Sequence, residues 1–281
     1  MNKKSQFKLN KTDQYGYNKF YKHKEAVHFE DKQKFLNNFE RRLKPFYKGG
    51  HTKGFGLGKS VQLLLEAAVK TGKNYGEITV IDAGCGLGEL TAYLAIKGFN
   101  VIGIDIAKEA TTAGERLVRK LGVHRSASFY ATSLEQLPLP DNSVDFIMGH
   151  ASLHHFIKYQ GVPVEFNRVL KPGGCGYFVD SFGENKLYSV FHNKRMMAEL
   201  GDVSLTKKMI NCYFKDLNPV LVPTDWFVML DKLYLKVFPS GFNVVLRGIS
   251  RLHFWLDRKM PANSRMALAL SGSILTIIKK S

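Results

Sequence analysis

Gly84, Gly86 and Gly88 stand at every second position directly after an apolar run, Ile78-Thr79-Val80-Ile81. Glycine has no Cβ, so such a segment can turn sharply and let a ligand approach its backbone. Leu90, Leu94 and Ala95 then recur at helical spacing. A strand leading through a glycine turn into a helix N-terminus is how open α/β sheets hold nucleotide-like ligands. Asp105 lies 17 residues past Gly88 and ends a second apolar run, Val101-Ile102-Gly103-Ile104. A carboxylate there can grip both hydroxyls of an adenosine ribose. The two elements together imply a ligand with an adenosine end.

Spacing narrows the choice. The dinucleotide fingerprint is Gly-x-Gly-x-x-Gly, with a pyrophosphate at the helix start. Here the spacing is Gly84-x-Gly86-x-Gly88, with Asp82 just before the turn. A carboxylate is awkward beside a pyrophosphate but suits a cofactor that carries an ammonium group. Two further stretches follow, from Leu137-Pro138-Leu139-Pro140-Asp141 to Val144-Asp145-Phe146-Ile147, and Glu165-Phe166-Asn167-Arg168-Val169-Leu170-Lys171-Pro172-Gly173-Gly174.

In this order and at these distances the three stretches resemble the class I S-adenosylmethionine-dependent methyltransferases. The likeness is to the branch that includes the ubiquinone and menaquinone methyltransferases and many small-molecule enzymes, and it covers residues 77–180. It implies that Gly84, Cys85, Gly86 and Gly88 pass under the methionine and ribose of S-adenosylmethionine. Asp82 is then assigned to the aminoacyl ammonium, Asp105 to the ribose and Ile106 to one adenine face; the other reading of Asp105 is a helix N-cap. Where the family commonly has an acidic residue after the third strand, this chain has Thr132-Ser133-Leu134. Ser133 or a backbone carbonyl could serve instead, with Leu134 packing on the ring. His150 is expected to contact the cofactor through its backbone.

His154 and His155 follow the fourth strand, at the border of the methyl-transfer site in the resembling family. Imidazole can accept a proton near neutral pH, so these two are the catalytic candidates; the alternative is a histidine that merely caps or packs. Tyr15, Tyr17, Tyr21 and His28 could close over the cofactor from the N-terminal arm. Gly54-Phe55-Gly56-Leu57-Gly58-Lys59-Ser60 is not a P-loop, because Lys53 stands where its first glycine belongs and no apolar strand precedes it. Lys53 and Lys59 could still hold an anionic group. Trp226, Phe227 and Trp255 belong to the core or to a hydrophobic substrate pocket.

The formal net charge is +17, and residues 1–60 hold 15 Lys and Arg against 5 Asp and Glu. Such an arm could meet nucleic acid, an anionic membrane surface or an acidic substrate, or remain a solvated basic surface. Cys85, Cys175 and Cys212 are too few and too scattered for a disulfide framework or a metal site. That suits a reducing cytoplasm. No uncharged apolar run approaches the roughly 18–20 residues that span a bilayer.

Apolar runs alternate with helical patterns from residue 77 onward, as in a parallel sheet wound on both faces. The expectation is an α/β, Rossmann-like fold: a seven-stranded, mostly parallel sheet with helices on both faces and an antiparallel last strand. Strands are expected over 79–82, 100–105, 127–131, 144–148, 176–181, 220–229 and 273–279. Helices are expected over 29–47, 61–69, 89–97, 108–121, 164–170, 187–200 and 206–216, with a joint at 49–58 and a turn at 172–174. Residues 1–60 would form a basic arm and cap helix, and 61–281 the catalytic domain, with a cap inserted at 183–218. The expected activity is methylation of a small, hydrophobic or lipid-like acceptor at oxygen, nitrogen or carbon. The alternative is an RNA methyltransferase that uses the basic arm; the glycine spacing argues against a nicotinamide oxidoreductase.

Overall fold

The computed structural model describes residues 13–22, 24, 31–43, 55–184, 203–224 and 271–281. Strands β1 (Thr79–Ala83), β2 (Asn100–Asp105), β3 (Ala127–Ala131), β4 (Val144–His150) and β5 (Leu170–Ser181) pair in parallel. β7 (Ser273–Lys279) runs antiparallel to both β5 and β6 (Val220–Thr224). The sheet order is β3-β2-β1-β4-β5-β7-β6, so the antiparallel strand lies one place in from the edge. The order reverses beside β1, and the crevice beyond the carboxyl ends of the strands at such a point is where open sheets take ligands.

The central strands are buried on both faces, which is why they read as nearly continuous apolar runs. Their side chains alternate between two cores. Val80, Phe146, Met148, Tyr177 and Val179 pack with α2 (Lys32–Leu43), α3 (Phe55–Lys70), α4 (Glu89–Ile96) and α5 (Lys108–Lys120). Ile81, Ile147 and Phe178 face the other way, toward α6 (Leu153–Phe156), α7 (Val162–Val169) and α8 (Lys207–Tyr213). There Phe166, Phe178 and Phe214 stack in series, with centroids 5.8 and 5.6 Å apart. Burying each ring is worth roughly 1.5–3 kcal/mol.

An ionic seam joins the amino ends of three strands. Asp145, at the start of β4, accepts hydrogen bonds from Lys171 Nζ (2.6 Å), Lys73 Nζ (2.9 Å) and the Thr79 backbone N–H (3.0 Å). Burial pushes its carboxyl up, but the bonds from Lys171, Thr79 and Lys73 outweigh that and hold it below the usual carboxylate value.

Several expectations need correction. Residues 13–21 form a helix, α1, within the stretch read as a basic arm, where no helix is expected before residue 29. Of the joint expected at 49–58, residues 55–58 belong to α3, which also runs across the expected boundary at residue 60; 49–54 lie outside the described residues. Of the helix expected over 29–47, Lys32–Leu43 forms α2, and 29–30 and 44–47 lie outside the described residues. Gly58 lets α2 and α3 touch, since a Cβ there would lie 2.1 Å from the Leu43 carbonyl oxygen. The turn at 172–174 is a register shift inside β5, where Gly173 takes φ +77° and donates to the Lys280 carbonyl. Of the strand expected over 220–229, Val220–Thr224 forms β6, and positions 225–229 lie outside the described residues. The expected helix at 187–200 lies outside them too, as do His28, Lys53, Trp226, Phe227 and Trp255. Thr206 caps α8 by accepting from the Met209 N–H.

Candidate active site

The turn after β1 takes left-handed backbone at all three glycines: φ is +72° at Gly84, +51° at Gly86 and +77° at Gly88. Their surroundings divide them. A Cβ on Gly84 would lie 2.7 Å from Ser152 Cβ, and one on Gly86 would lie 3.1 Å from Tyr21 Oη. One on Gly88 would strike Gly114 Cα at 2.8 Å and the Phe129 ring at 2.9 Å. Gly84 thus lets the turn approach Ser152 and Gly86 lets it approach Tyr21, whereas Gly88 lets α4 approach α5 and β3.

Asp105 turns toward this loop. Its Oδ2 accepts the Gly86 N–H at 3.0 Å and its Oδ1 accepts the Ala107 N–H at 2.9 Å. Burial pushes this carboxyl up, and the Ala107 and Gly86 donors pull against that. Each carboxylate oxygen has a second lone pair, so acceptor capacity remains for a ligand.

A cavity of about 300 Å³ opens between the strand ends. β1 and its loop contribute Gly84, Cys85 and Gly86; β2 contributes Ile104 and Asp105, with Ile106 following. Thr132, Ser133 and Leu134 close one side; His150, Ala151, Ser152 and His155 close another. Ala151 is held at φ +52°, a strained conformation for a residue with a Cβ. Ser152 Oγ is buried without a hydrogen-bond partner among the described residues.

The roof is α1. Asp13, Tyr17 and Tyr21 sit at i, i+4 and i+8, and all three line the cavity. Asp13 accepts from Tyr159 Oη, and its Oδ2 also lies 2.7 Å from Lys158 Nζ. Tyr17 Oη lies 2.8 Å from His155 Nδ1, with the rings edge-on. Burial, with the nearby Asp105 and Cys85, pushes the Tyr21 phenol well above its usual range. It therefore stays protonated. Tyr15 points to solvent, 74% exposed.

A second compartment of about 340 Å³ shares Tyr21, Gly84, Cys85 and His150 with the first. Asp82 lines this one and not the first. It is 2% exposed and accepts from Thr91 Oγ1 at 2.7 Å. Burial pushes its carboxyl up to about 6, against the hydrogen bonds from Thr91. Burial lowers the His150 imidazole pKa, so that ring is neutral between the two compartments.

His154 lines neither compartment. Its Nδ1 lies 2.5 Å from the buried Asp180 carboxylate, and its ring centroid lies 3.9 Å from that of His155. Asp180 also accepts the Leu153 N–H at 3.1 Å. Sequence reasoning missed Asp13, Tyr159, Ser152 and Arg42. For Asp13 the signal was its spacing from Tyr17 and Tyr21; the other three carried none. Among the described residues no cluster of His, Cys, Asp and Glu could hold a metal ion, and no helix is long and apolar enough to cross a membrane.

Residues 81–178 match the family described as "Methyltransferase domain". The chain carries a class I S-adenosylmethionine-dependent methyltransferase domain. A cycloartenol-C-24-methyltransferase of Arabidopsis thaliana is 26% identical over 228 residues, 73% of this chain and 66% of that protein. A demethylmenaquinone methyltransferase of Geobacillus stearothermophilus is 32% identical over 117 residues, 38% of this chain and 49% of that protein. The chain thus spans less than two thirds of the length of these curated relatives. Among solved structures, a geranyl diphosphate C-methyltransferase from Streptomyces coelicolor A3(2) superposes with TM-score 0.55 at 16% identity, over 75% of this chain and 72% of its own. A Haemonchus contortus phosphoethanolamine N-methyltransferase does so with TM-score 0.54 at 14% identity, over 79% and 52%. These likenesses establish the Rossmann-like fold of the methyltransferase domain, and α1 and α2 lie before the matched stretch.

The residues fit the cofactor that this domain implies. Gly84 and Gly86 present backbone to the cavity, Asp105 offers carboxylate oxygens beside it, and Ser152 Oγ is an orphaned hydroxyl among the described residues on the same wall.

Proposed function

We propose that this protein methylates a small, hydrophobic or lipid-like acceptor with S-adenosylmethionine, in the cavity roofed by α1. The observation that carries the reading is the Gly86 N–H bond to Asp105, which sets the glycine turn and the Asp105 carboxylate on one cavity wall. When bound, the cofactor supplies a sulfonium methyl group open to in-line attack.

The chain's own residues then have separable tasks. Asp105 holds the ribose hydroxyls, Ile106 and Leu134 flank the adenine, and Ser133 stands near its amine. Asp82 takes the aminoacyl ammonium. His155 and Tyr17 form the acid–base pair at the reacting end, with the imidazole taking a proton from the acceptor directly or through the phenol. His154, held by Asp180, acts on His155 through its ring rather than on the acceptor. Positioning of this kind can supply about 7–11 kcal/mol of a barrier.

An apolar acceptor is supported by Phe156 and Ile104 on the cavity wall and by relatives whose names specify sterol and menaquinone substrates. The first 60 residues, with 15 Lys and Arg against 5 Asp and Glu, are available to an anionic membrane surface or an anionic acceptor. The sparse cysteines suit a cytoplasmic enzyme.

Isothermal titration with S-adenosylmethionine and S-adenosylhomocysteine tests the cofactor; binding of both is expected, and binding of neither rejects the reading. Incubation with methyl-labelled cofactor and fractionated cell extract tests the acceptor, with label expected in a lipid fraction rather than in RNA.

A further inference from the structure

Charges of both signs face the second compartment. Asp82 and Glu89 come from β1 and the start of α4; Arg42 comes from α2, and Lys24 stands beyond α1. A wholly apolar ligand would make no use of these charges, whereas an α-amino acid zwitterion would meet a partner of each sign. The compartment shares the backbone of Gly84 and Cys85 with the cavity that holds Asp105. A ligand bound by its ribose at Asp105 can therefore extend past Gly84 into it.

The acceptor for the ammonium is Asp82, whose carboxylate is bonded by the Thr91 hydroxyl and lies otherwise at the wall. The donor for a carboxylate has to come from the other side. Arg42 donates through Nη1 to Glu89 Oε2, and its guanidinium lies 5.2 Å over the Phe39 ring. A guanidinium carries five N–H donors, and Glu89 is its one hydrogen-bonding partner among the described residues. The other cation, Lys24, lies with its Nζ 3.1 Å from the Phe20 ring centroid. Arg42 is thus oriented by Phe39 and Glu89 and retains donors for a second carboxylate.

We propose that Arg42 binds the α-carboxylate of the cofactor's methionine end, opposite Asp82, so that helix α2 completes a site the methyltransferase core leaves open. Glu89 is a positioning residue that fixes the guanidinium. The proposal rests on the S-adenosylmethionine reading and extends it to a helix outside the matched stretch.

The test compares two ligands that share an adenosine. S-Adenosylhomocysteine carries the amino acid, and 5′-methylthioadenosine lacks it; both are titrated into the full-length protein by calorimetry. Arg42→Gln is expected to weaken S-adenosylhomocysteine by about 10–100-fold, the size of a lost charge-assisted hydrogen bond, and to leave 5′-methylthioadenosine within about twofold. Arg42→Lys should fall between, because an ammonium lacks the planar fork. Retained 5′-methylthioadenosine affinity also reports an intact fold, and a half-exposed pair such as Arg42–Glu89 adds little to stability. Equal loss for both ligands, or no loss for either, overturns the proposal. Equal affinity of the wild type for both ligands overturns the zwitterion compartment while leaving the cofactor reading intact. Failure of the wild type to bind either ligand overturns the cofactor reading itself.

Discussion

Tyr17 Oη and His155 Nδ1 lie 2.8 Å apart across the mouth of the cavity, joining a helix that precedes the sheet to the short helix α6 that follows β4. Neither side chain is oriented by its neighbours in sequence alone. The Asp13 contacts to Tyr159 and Lys158 pin the start of α1, and the 3.9 Å approach of His154 braces the imidazole.

If this pair handles the acceptor's proton, its members act as a unit. His155→Gln is expected to lower the methyl-transfer rate by roughly 10²–10⁴-fold. Tyr17→Phe should lower it less, and the double variant should be no slower than His155→Gln alone. Single-turnover transfer of labelled methyl, measured with S-adenosylhomocysteine affinity alongside, separates this from a loss of cofactor binding. Additive losses would assign the two residues independent roles.

Asp105→Asn keeps the shape and removes the charge. One oxygen is replaced by a donor facing either the Gly86 or the Ala107 N–H. The cost in stability should be on the order of 1–3 kcal/mol, with cofactor affinity falling about 10–100-fold by the same principle. Thermal unfolding with and without S-adenosylhomocysteine measures both.

The Asp82 carboxyl is raised from 3.8 to about 6 in the folded chain. The folded state therefore binds more protons than the unfolded one between these values, and stability falls as pH rises from about 4 to about 6. Asp82→Asn removes that loss. The variant should be more stable than wild type by about 1–3 kcal/mol at pH 7, lose the advantage at pH 4, and bind S-adenosylmethionine more weakly. Denaturant midpoints across this range provide the check; a variant less stable at pH 7 would contradict the burial argument.

Gly86→Ala and Gly88→Ala should fail differently. Both impose strain at positive φ, about 1–3 kcal/mol each. At Gly88 the new methyl also meets backbone and ring atoms below 3 Å, so loss of stability should dominate. At Gly86 the new methyl faces Tyr21 at the cavity, so loss of ligand affinity should dominate. Melting temperature against ligand affinity, plotted for the two variants, distinguishes them.

The sheet was legible because β1, β2, β4 and β5 bury both faces and so announce themselves as apolar runs. Asp105 was legible because its position is set by the end of β2 and the glycine turn beside it. Helix α1 was not, because its inner face of Asp13, Tyr17 and Tyr21 meets a cleft rather than a core and carries no apolar stripe. Arg42 was read as part of a basic arm, since only the packing of α2 on α4, with Lys97 reaching Glu40 at 2.8 Å, brings it to Glu89. Ser133 and Leu134 came from position after β3 alone, and both line the cavity.

Asp145 fastens β1, β4 and β5 at their amino ends, the rim farthest from the chamber that opens at their carboxyl ends. What ties these strands together is thus spatially divorced from what meets the ligand. The mouth of this molecule is free to be resculpted, one wall residue at a time, without untying the knot beneath it.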